Sequence, residues 1–293
     1  MLLLERLNNT SMLPDGQRAV AQWLAAHRNE VAMVTVKRIA QKTFTSPATV
    51  VRLAKALGYE GFEPLRAELV AEASYLNQHF RGVDANQPIA EDDDPLTVAA
   101  KVAALARETA SDTLSLMDGV TLAQATDIIE SARVTHISAT SFPLLYAQDF
   151  QLKMRRIGRP VEVCTLVGEP LFTEGIVSDR DCAIAISYSG TTPSTLDVAR
   201  MYKRRGIPLV AITSLGANPL REIADVTLSL TTRERLYSKV AGFASELSIR
   251  LVLDTLYACV FARHLGEHQR AKDELSSHAE PGRTSDSEIL SEG

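Results

Sequence analysis

Four hydroxyl side chains, Ser187, Ser189, Thr191 and Thr192, stand between the apolar stretch Ala183-Ile184-Ala185-Ile186 and Pro193. Proline suits the first position of a helix, where a missing N–H costs nothing, so the run reads as a turn from a buried strand into a helix. Hydroxyls and backbone amides around Gly190 to Thr192 can then converge on one point. Gly190 lets the main chain approach closely, and a helix N-terminus favours negative charge. Such a turn suits an anion, phosphate above all, without any Lys or Arg. The same residues would also serve as an ordinary helix cap. An earlier loop, Ser138-Ala139-Thr140-Ser141-Phe142-Pro143, brings two more hydroxyls, Thr140 and Ser141.

A second kind of chemistry lies near the N-terminus. From Val31 to Tyr59 there are five basic residues and no acid, although the whole chain carries a net charge of -5. Ser46 is placed to cap a helix, Pro47 to start it and Gly58 to end it. A shorter helix after Thr35 precedes it, across about four residues, which is helix-turn-helix spacing. Val50, Leu53, Ala54 and Leu57 form the stripe expected to be buried. Ala48, Thr49, Arg52 and Lys55 fall on the other face, where Arg can pair with guanine and a Thr methyl with thymine. Lys37, Arg38 and Lys42 suit phosphates. A helical hairpin with a solvated basic face is the competing reading.

The residues from Thr35 to Leu69 resemble the helix-turn-helix of the RpiR/MurR family of bacterial transcriptional regulators. The resemblance rests on Ile39-Ala40, Ser46, Thr49-Val50, Arg52-Leu53 and Leu57-Gly58-Tyr59-Glu60-Gly61-Phe62, with Thr45 departing from the usual Val. Asp181 to Thr192 is similar to the strand and Ser-x-Ser-Gly-x-Thr loop of sugar isomerase (SIS) domains, which bind phosphosugars. That similarity continues through Gly206, Val210 to Thr213, Asn218-Pro219-Leu220 and Ala224-Asp225. The resemblance implies a ligand-responsive DNA-binding regulator with DNA contacts at Lys37, Arg38, Ser46, Ala48, Thr49, Arg52 and Lys55. It implies effector contacts at Thr140, Ser141, Ser187, Ser189, Gly190, Thr191 and Thr192. The first loop departs from the family's Gly-x-Gly-x-Ser, which leaves a carboxylate or an unphosphorylated ligand open.

The elements that must position these residues follow from composition and period. A length of 293 residues fits two domains. The expected organisation is an all-α helix-turn-helix domain over residues 1–80, beginning with a helix capped by Asp15. An acidic, solvated linker follows over 81–95, with five acids and no base between Asp84 and Pro95. A helical lead-in and a SIS domain occupy 96–265, and a polar mobile tail 266–293. In the second domain, apolar runs at 134–139, 161–166, 182–187, 208–213 and 226–230 predict a five-stranded parallel sheet of flavodoxin or Rossmann-like, three-layer α/β type. Helices are expected at 144–157, 170–178, 193–205 and 240–265. Ligands in such sheets bind beyond the C-terminal strand ends, which are the two hydroxyl loops.

Several classes are set aside. No apolar run reaches the roughly 18–20 residues of a membrane span, and Glu5 interrupts the first apolar residues, so neither a span nor a secretory leader is expected. Cys164, Cys182 and Cys259 give no disulfide framework, and a cytoplasmic location is the default. His264 and His268 lack a third ligand, so no metal is expected, nor any cofactor. The alternatives are a phosphosugar-binding protein that does not bind DNA, which would leave the basic helix unexplained, and an SIS-type sugar-phosphate isomerase. The isomerase would need an acid/base pair, for which Glu246 and His136 are the candidates, but Glu246 reads as solvated and His136 as a packed strand residue. No catalytic residue is assigned. The partners expected are a duplex DNA operator, most simply an inverted repeat read by a homodimer or homotetramer, and a small phosphorylated effector.

Overall fold

The computed structural model describes residues 3–8, 10, 13–79, 82–165, 171 and 175–279. Two compact units emerge. One contains residues 1–108 with 215–218 and 233–243, and the other contains 109–214, 219–232 and 244–293.

The first unit opens with helices α1 (Leu3–Asn8), α2 (Asp15–Ala26), α3 (Val36–Lys42), α4 (Pro47–Ala56) and α5 (Phe62–His79). Their apolar stripes meet in one core that includes Leu3 and Leu7, Val20 and Leu24, Ile39, Val50 and Leu53, and Leu65 and Leu69. The buried Glu72 of α5 accepts hydrogen bonds from the Leu3 and Leu4 amides, so a carboxylate satisfies the free N–H groups that begin α1. At α2 the structure corrects one expectation. Pro14 takes the cap position without a side-chain bond, while Asp15 is the first helical residue and pairs with Arg18 one turn on.

The acidic stretch is more ordered than a solvated linker. Asp84 accepts from the Asn86 amide at 2.9 Å, and Asn86 is tied to the Arg233 carbonyl, the Arg235 amide and the Val240 amide. Asp94 accepts from the Leu96 and Thr97 amides and so begins α6 (Pro95–Ser115), and Asp93 pairs with Lys101. Short acidic side chains here serve as local acceptors for a turning backbone, a use that composition does not distinguish from solvation.

Beyond α6 come α7 (Gly119–Ser131), β1 (Thr135–Ser138), α8 (Phe142–Arg155), β2 (Val161–Val163), β3 (Cys182–Ser187) and α9 (Pro193–Arg204). The chain continues through β4 (Leu209–Ser214), α10 (Pro219–Ile223), β5 (Val226–Leu230), α11 (Phe243–Arg263) and α12 (Leu265–Ala279). The five strands are parallel in the order β2-β1-β3-β4-β5, so the direction of winding reverses between β1 and β3. Ile184 and Ile186 face one side of the sheet, in a core with α8 and α11. Ala183 and Ala185 face the other side, where their small size lets α9 lay Leu196, Val198, Ala199 and Met201 close against the strand.

All five expected strands form. Of the helix expected at 170–178, residues 170 and 172–174 lie outside the described residues, and 176–178 are not helical. The last helix breaks at His264, and a further helix, α12, starts at Leu265 and takes in residues 266–279, expected as tail, with His268 buried against Phe261. The rest of that segment, 280–293, lies outside the described residues.

Candidate functional site: a recognition helix and an anion loop

Four residues, 43–46, separate α3 from α4. Thr35 caps α3 by accepting from the Arg38 amide at 3.3 Å, and Ser46 caps α4 by accepting from the Thr49 amide at 3.2 Å. The turn between them is fixed by the Thr45 amide, which donates to the Ala40 carbonyl at 2.9 Å, and by a 2.9 Å contact between the Thr43 and Thr45 hydroxyls. That second contact explains how a polar residue stands at position 45: its hydroxyl has a partner inside the turn.

Lys37, Arg38, Lys42, Ser46, Ala48, Arg52 and Lys55 are exposed, while Val50, Leu53 and Ala54 are buried. The amphipathic division of α4 is therefore the one expected from its spacing. Thr49 is the exception. It is half-buried, its hydroxyl lies 2.9 Å from that of Ser46, and its methyl faces α2, where a Cβ on Gly16 would come within 3.3 Å of it. Gly16 thus admits α4 close to α2, and the Thr49 methyl is occupied in that contact. Arg52 lies along its own helix, with Nε 3.4 Å from the Ala48 carbonyl oxygen.

In the second unit the two hydroxyl loops leave β1 and β3, neighbours in which Ser138 stands opposite Ala185. They flank the point where winding reverses, the place where open α/β sheets bind ligands. In the second loop Gly190 has φ +65°, its amide donates to the Ser187 carbonyl at 3.0 Å, and its own carbonyl accepts from the Leu220 amide at 3.1 Å. Ser189 Oγ accepts from both the amide and the hydroxyl of Thr191, at 3.2 and 2.9 Å. Its own O–H therefore remains available to a ligand. Ser187 and Thr192 share one hydrogen across 2.8 Å, which leaves one O–H of that pair available as well.

The sequence predicts free amides around Gly190 to Thr192, and the structure corrects this at the first two: the Gly190 and Thr191 amides are engaged within the loop. The donors pass instead to the first turn of α9. There Thr192 holds the cap position without a side-chain cap bond, and the Ser194 and Thr195 amides have no helical carbonyl behind them.

The first loop carries no glycine but adopts a glycine-like backbone. Ser141 has φ +59° and ψ -138°, which is disfavoured for any residue with a Cβ. Thr140, Ser141 and Phe142 are all exposed. Replacing Ser141 by Gly is expected to stabilise the protein by about 1 kcal/mol, and Ser141→Ala to give no such gain, in paired denaturant titrations. A cavity of about 240 Å³ adjoins this loop, lined among others by Ser138, Ala139 and Thr140, by Glu162 of the edge strand β2 and Cys164 just after it, and by Ser194 of α9.

His136 is buried in β1, with Nε2 3.1 Å from Asp181 Oδ2 and Nδ1 3.5 Å from Glu162. The same Asp181 oxygen accepts from the Ser178 amide and from Arg133, each at 2.9 Å. Burial pushes the Asp181 carboxyl up, but the Ser178 amide, His136 and Arg133 outweigh it and hold it below the ordinary carboxylate value. A carboxyl depressed in the folded state adds stability above its unfolded pKa of about 3.9, and that stability is lost as pH falls through the folded value. Asp181→Ala is expected to cost about 2–3 kcal/mol at neutral pH and to flatten the acid limb of a stability-against-pH profile. An unchanged acid limb would show that other carboxylates set it.

The other candidate for acid/base work, Glu246, is half-buried rather than solvated: its Oε2 accepts from the Tyr146 hydroxyl at 3.1 Å. Burial, then the Glu246 charge, pushes the Tyr146 hydroxyl up. Among the described residues no group of three or more His, Cys, Asp or Glu is gathered as a metal site would require. No helix among them is long and apolar enough to cross a membrane.

Comparison with known proteins agrees with both halves. Residues 1–75 match the helix-turn-helix domain of the rpiR family, and residues 131–258 match the SIS domain. The uncharacterized HTH-type transcriptional regulator YbbH of Bacillus subtilis is 26% identical over 246 residues, covering 84% of this chain and 85% of YbbH. Among solved structures, the NanR protein of Vibrio vulnificus, complexed with ManNAc-6P, aligns with a TM-score of 0.63 at 24% identity over 97% of this chain and 100% of that one. The sugar isomerase domain of the RpiR transcription factor from Sphaerobacter thermophilus aligns with a TM-score of 0.55 at 21% identity, over 61% and 97% of the two chains. With a capped, basic α4 in a helix-turn-helix and a hydroxyl loop at the switch point of a SIS sheet, the chain joins an rpiR-family helix-turn-helix domain to a SIS domain, the make-up of a ligand-responsive DNA-binding transcriptional regulator.

Proposed function

We propose that this regulator senses a sugar phosphate through its second unit and changes its hold on operator DNA in response. The observation that carries the reading is the loop after β3. There two hydroxyl hydrogens and the first-turn amides of α9 are left to face an anion at the sheet's switch point. The phosphate meets the hydroxyls of Ser187, Ser189 and Thr192 and the first-turn amides of α9, with Gly190 and Thr191 holding the loop in shape, and the sugar extends toward Thr140 and Ser141. That NanR is complexed with ManNAc-6P supports a phosphosugar over a free sugar or a carboxylate. DNA is read by Arg52 and Lys55, with Ala48 allowing close approach and Lys37, Arg38 and Ser46 on phosphates.

One recognition helix spans too few base pairs for specificity in a genome, so the protein acts in the cytoplasm as a homodimer, or a tetramer, on an inverted repeat. Thermal-shift and calorimetric titration of the full chain against sugar phosphates, the matching free sugars and small carboxylates tests the effector class. Binding of a phosphorylated sugar, and loss of binding when the phosphate is removed, is the expected pattern. Equal binding of the free sugar would overturn the anion role of the loop.

A further inference from the structure

Helices α3, α4, α8 and α9 end in the same backbone device. In each, the amide two residues past the last turn closes onto a carbonyl five positions back: Thr45 on Ala40, Tyr59 on Ala54, Arg159 on Met154 and Ile207 on Tyr202, all at 2.9–3.0 Å. The residue before each of those amides must turn left-handed. Three of the four are Gly58, Gly158 and Gly206, with φ of +85°, +74° and +72°. The fourth, in the helix-turn-helix, is Phe44 at φ +52°. Its Cβ disfavours that conformation, and its ring is 98% exposed, so packing does not offset the strain. Phe44 stands between the exposed Lys42 and the α4 cap Ser46, in the stretch with five bases and no acid. A basic stretch of this kind suits DNA, and the Thr49 methyl, an apolar group that α4 would otherwise offer to a base, is turned to Gly16.

We infer that the Phe44 ring is a DNA contact, laid on apolar carbon of the operator, either thymine methyl groups or deoxyribose, at the edge of the groove that α4 enters. The inference rests on α4 as the reading helix. Its test is a gel-shift titration of full-length variants on the duplex that the wild-type protein enriches from a random pool. Phe44→Ala is expected to bind about five- to tenfold more weakly, with the salt dependence unchanged because no phosphate charge is involved. Phe44→Leu should recover most of the loss. Phe44→Gly should bind as weakly as Phe44→Ala while its Tm is at or above wild type, which separates contact from folding. Deoxyuridine in place of thymidine distinguishes the two carbon sources: a loss confined to the wild-type protein means methyl contact, and no loss means deoxyribose. Wild-type affinity of Phe44→Ala, with Arg52→Ala weakened, would overturn the inference alone. If both variants bind as wild type, the reading of α4 falls with it.

Discussion

A Ser187→Ala/Ser189→Ala variant is expected to hold operator DNA as the wild-type protein does and to ignore the sugar phosphate that the wild type answers. The loop geometry gives the size of the effect. Ser189 accepts two bonds from Thr191, so its hydrogen points outward, and Ser187 shares its hydrogen with Thr192. Removing both hydroxyls takes away charge-assisted donors worth roughly 1.5–3 kcal/mol each, together a hundredfold or more in Kd. The fold should tolerate the change. Ser187 ends a strand whose ladder is made by backbone groups, and the Gly190 turn is closed by amide-to-carbonyl bonds that survive in the variant. Effector response must come from unequal affinity for DNA-competent and DNA-incompetent states, so losing the ligand leaves unliganded DNA binding intact. Calorimetry with the phosphosugar identified by screening, and operator titration with and without it, read the two quantities separately. A variant that still responds at wild-type effector concentrations would place the pocket elsewhere.

Much of this arrangement could be read from the residues because it depends on local rules. Ser46-Pro47 and Gly58 delimit α4 by capping, fixed φ and left-handed freedom, all set within a few residues. The five strands are short apolar runs separated by helices, and a parallel sheet follows from that alternation. What escaped was decided by partners distant in sequence. The partner of Glu246 was invisible until α8 and α11 brought the Tyr146 hydroxyl to it across 100 positions. Asp181 looked like the end of a strand motif, yet it gathers Arg133 and His136 from 45 or more residues away. The acids at 84–94 read as solvated because charge counts do not show which carboxylates accept from a turning backbone. Ser141 is the clearest case at the site. The missing glycine was plain in the sequence, but only the backbone shows that the loop keeps the glycine conformation without the glycine.

On the DNA side, the largest loss is expected from Arg52→Ala/Lys55→Ala. Both side chains are exposed on the face of α4 opposite Leu53 and Ala54. Arg52 now rests against the Ala48 carbonyl at 3.4 Å, a weak contact that a guanine O6/N7 edge can replace with two stronger bonds. A base contact by Arg52 is worth about 1–3 kcal/mol and is specific to sequence, so the single Arg52→Ala change should also relax discrimination at one base position. Lys55 lies one turn nearer the C-terminus of the helix, toward the groove's edge, and adds charge more than sequence preference. The contrast is Lys37→Ala on α3. That change removes one phosphate neutralisation, so it should weaken all duplexes about equally and lower the slope of log K against log salt by about 0.9. Gel-shift titrations at several salt concentrations, on the selected duplex and on an unrelated one, separate the two behaviours. If the α4 double variant keeps both its affinity and its sequence preference, the basic face of α4 is only a solvated surface, and DNA reading lies on another element of the first unit.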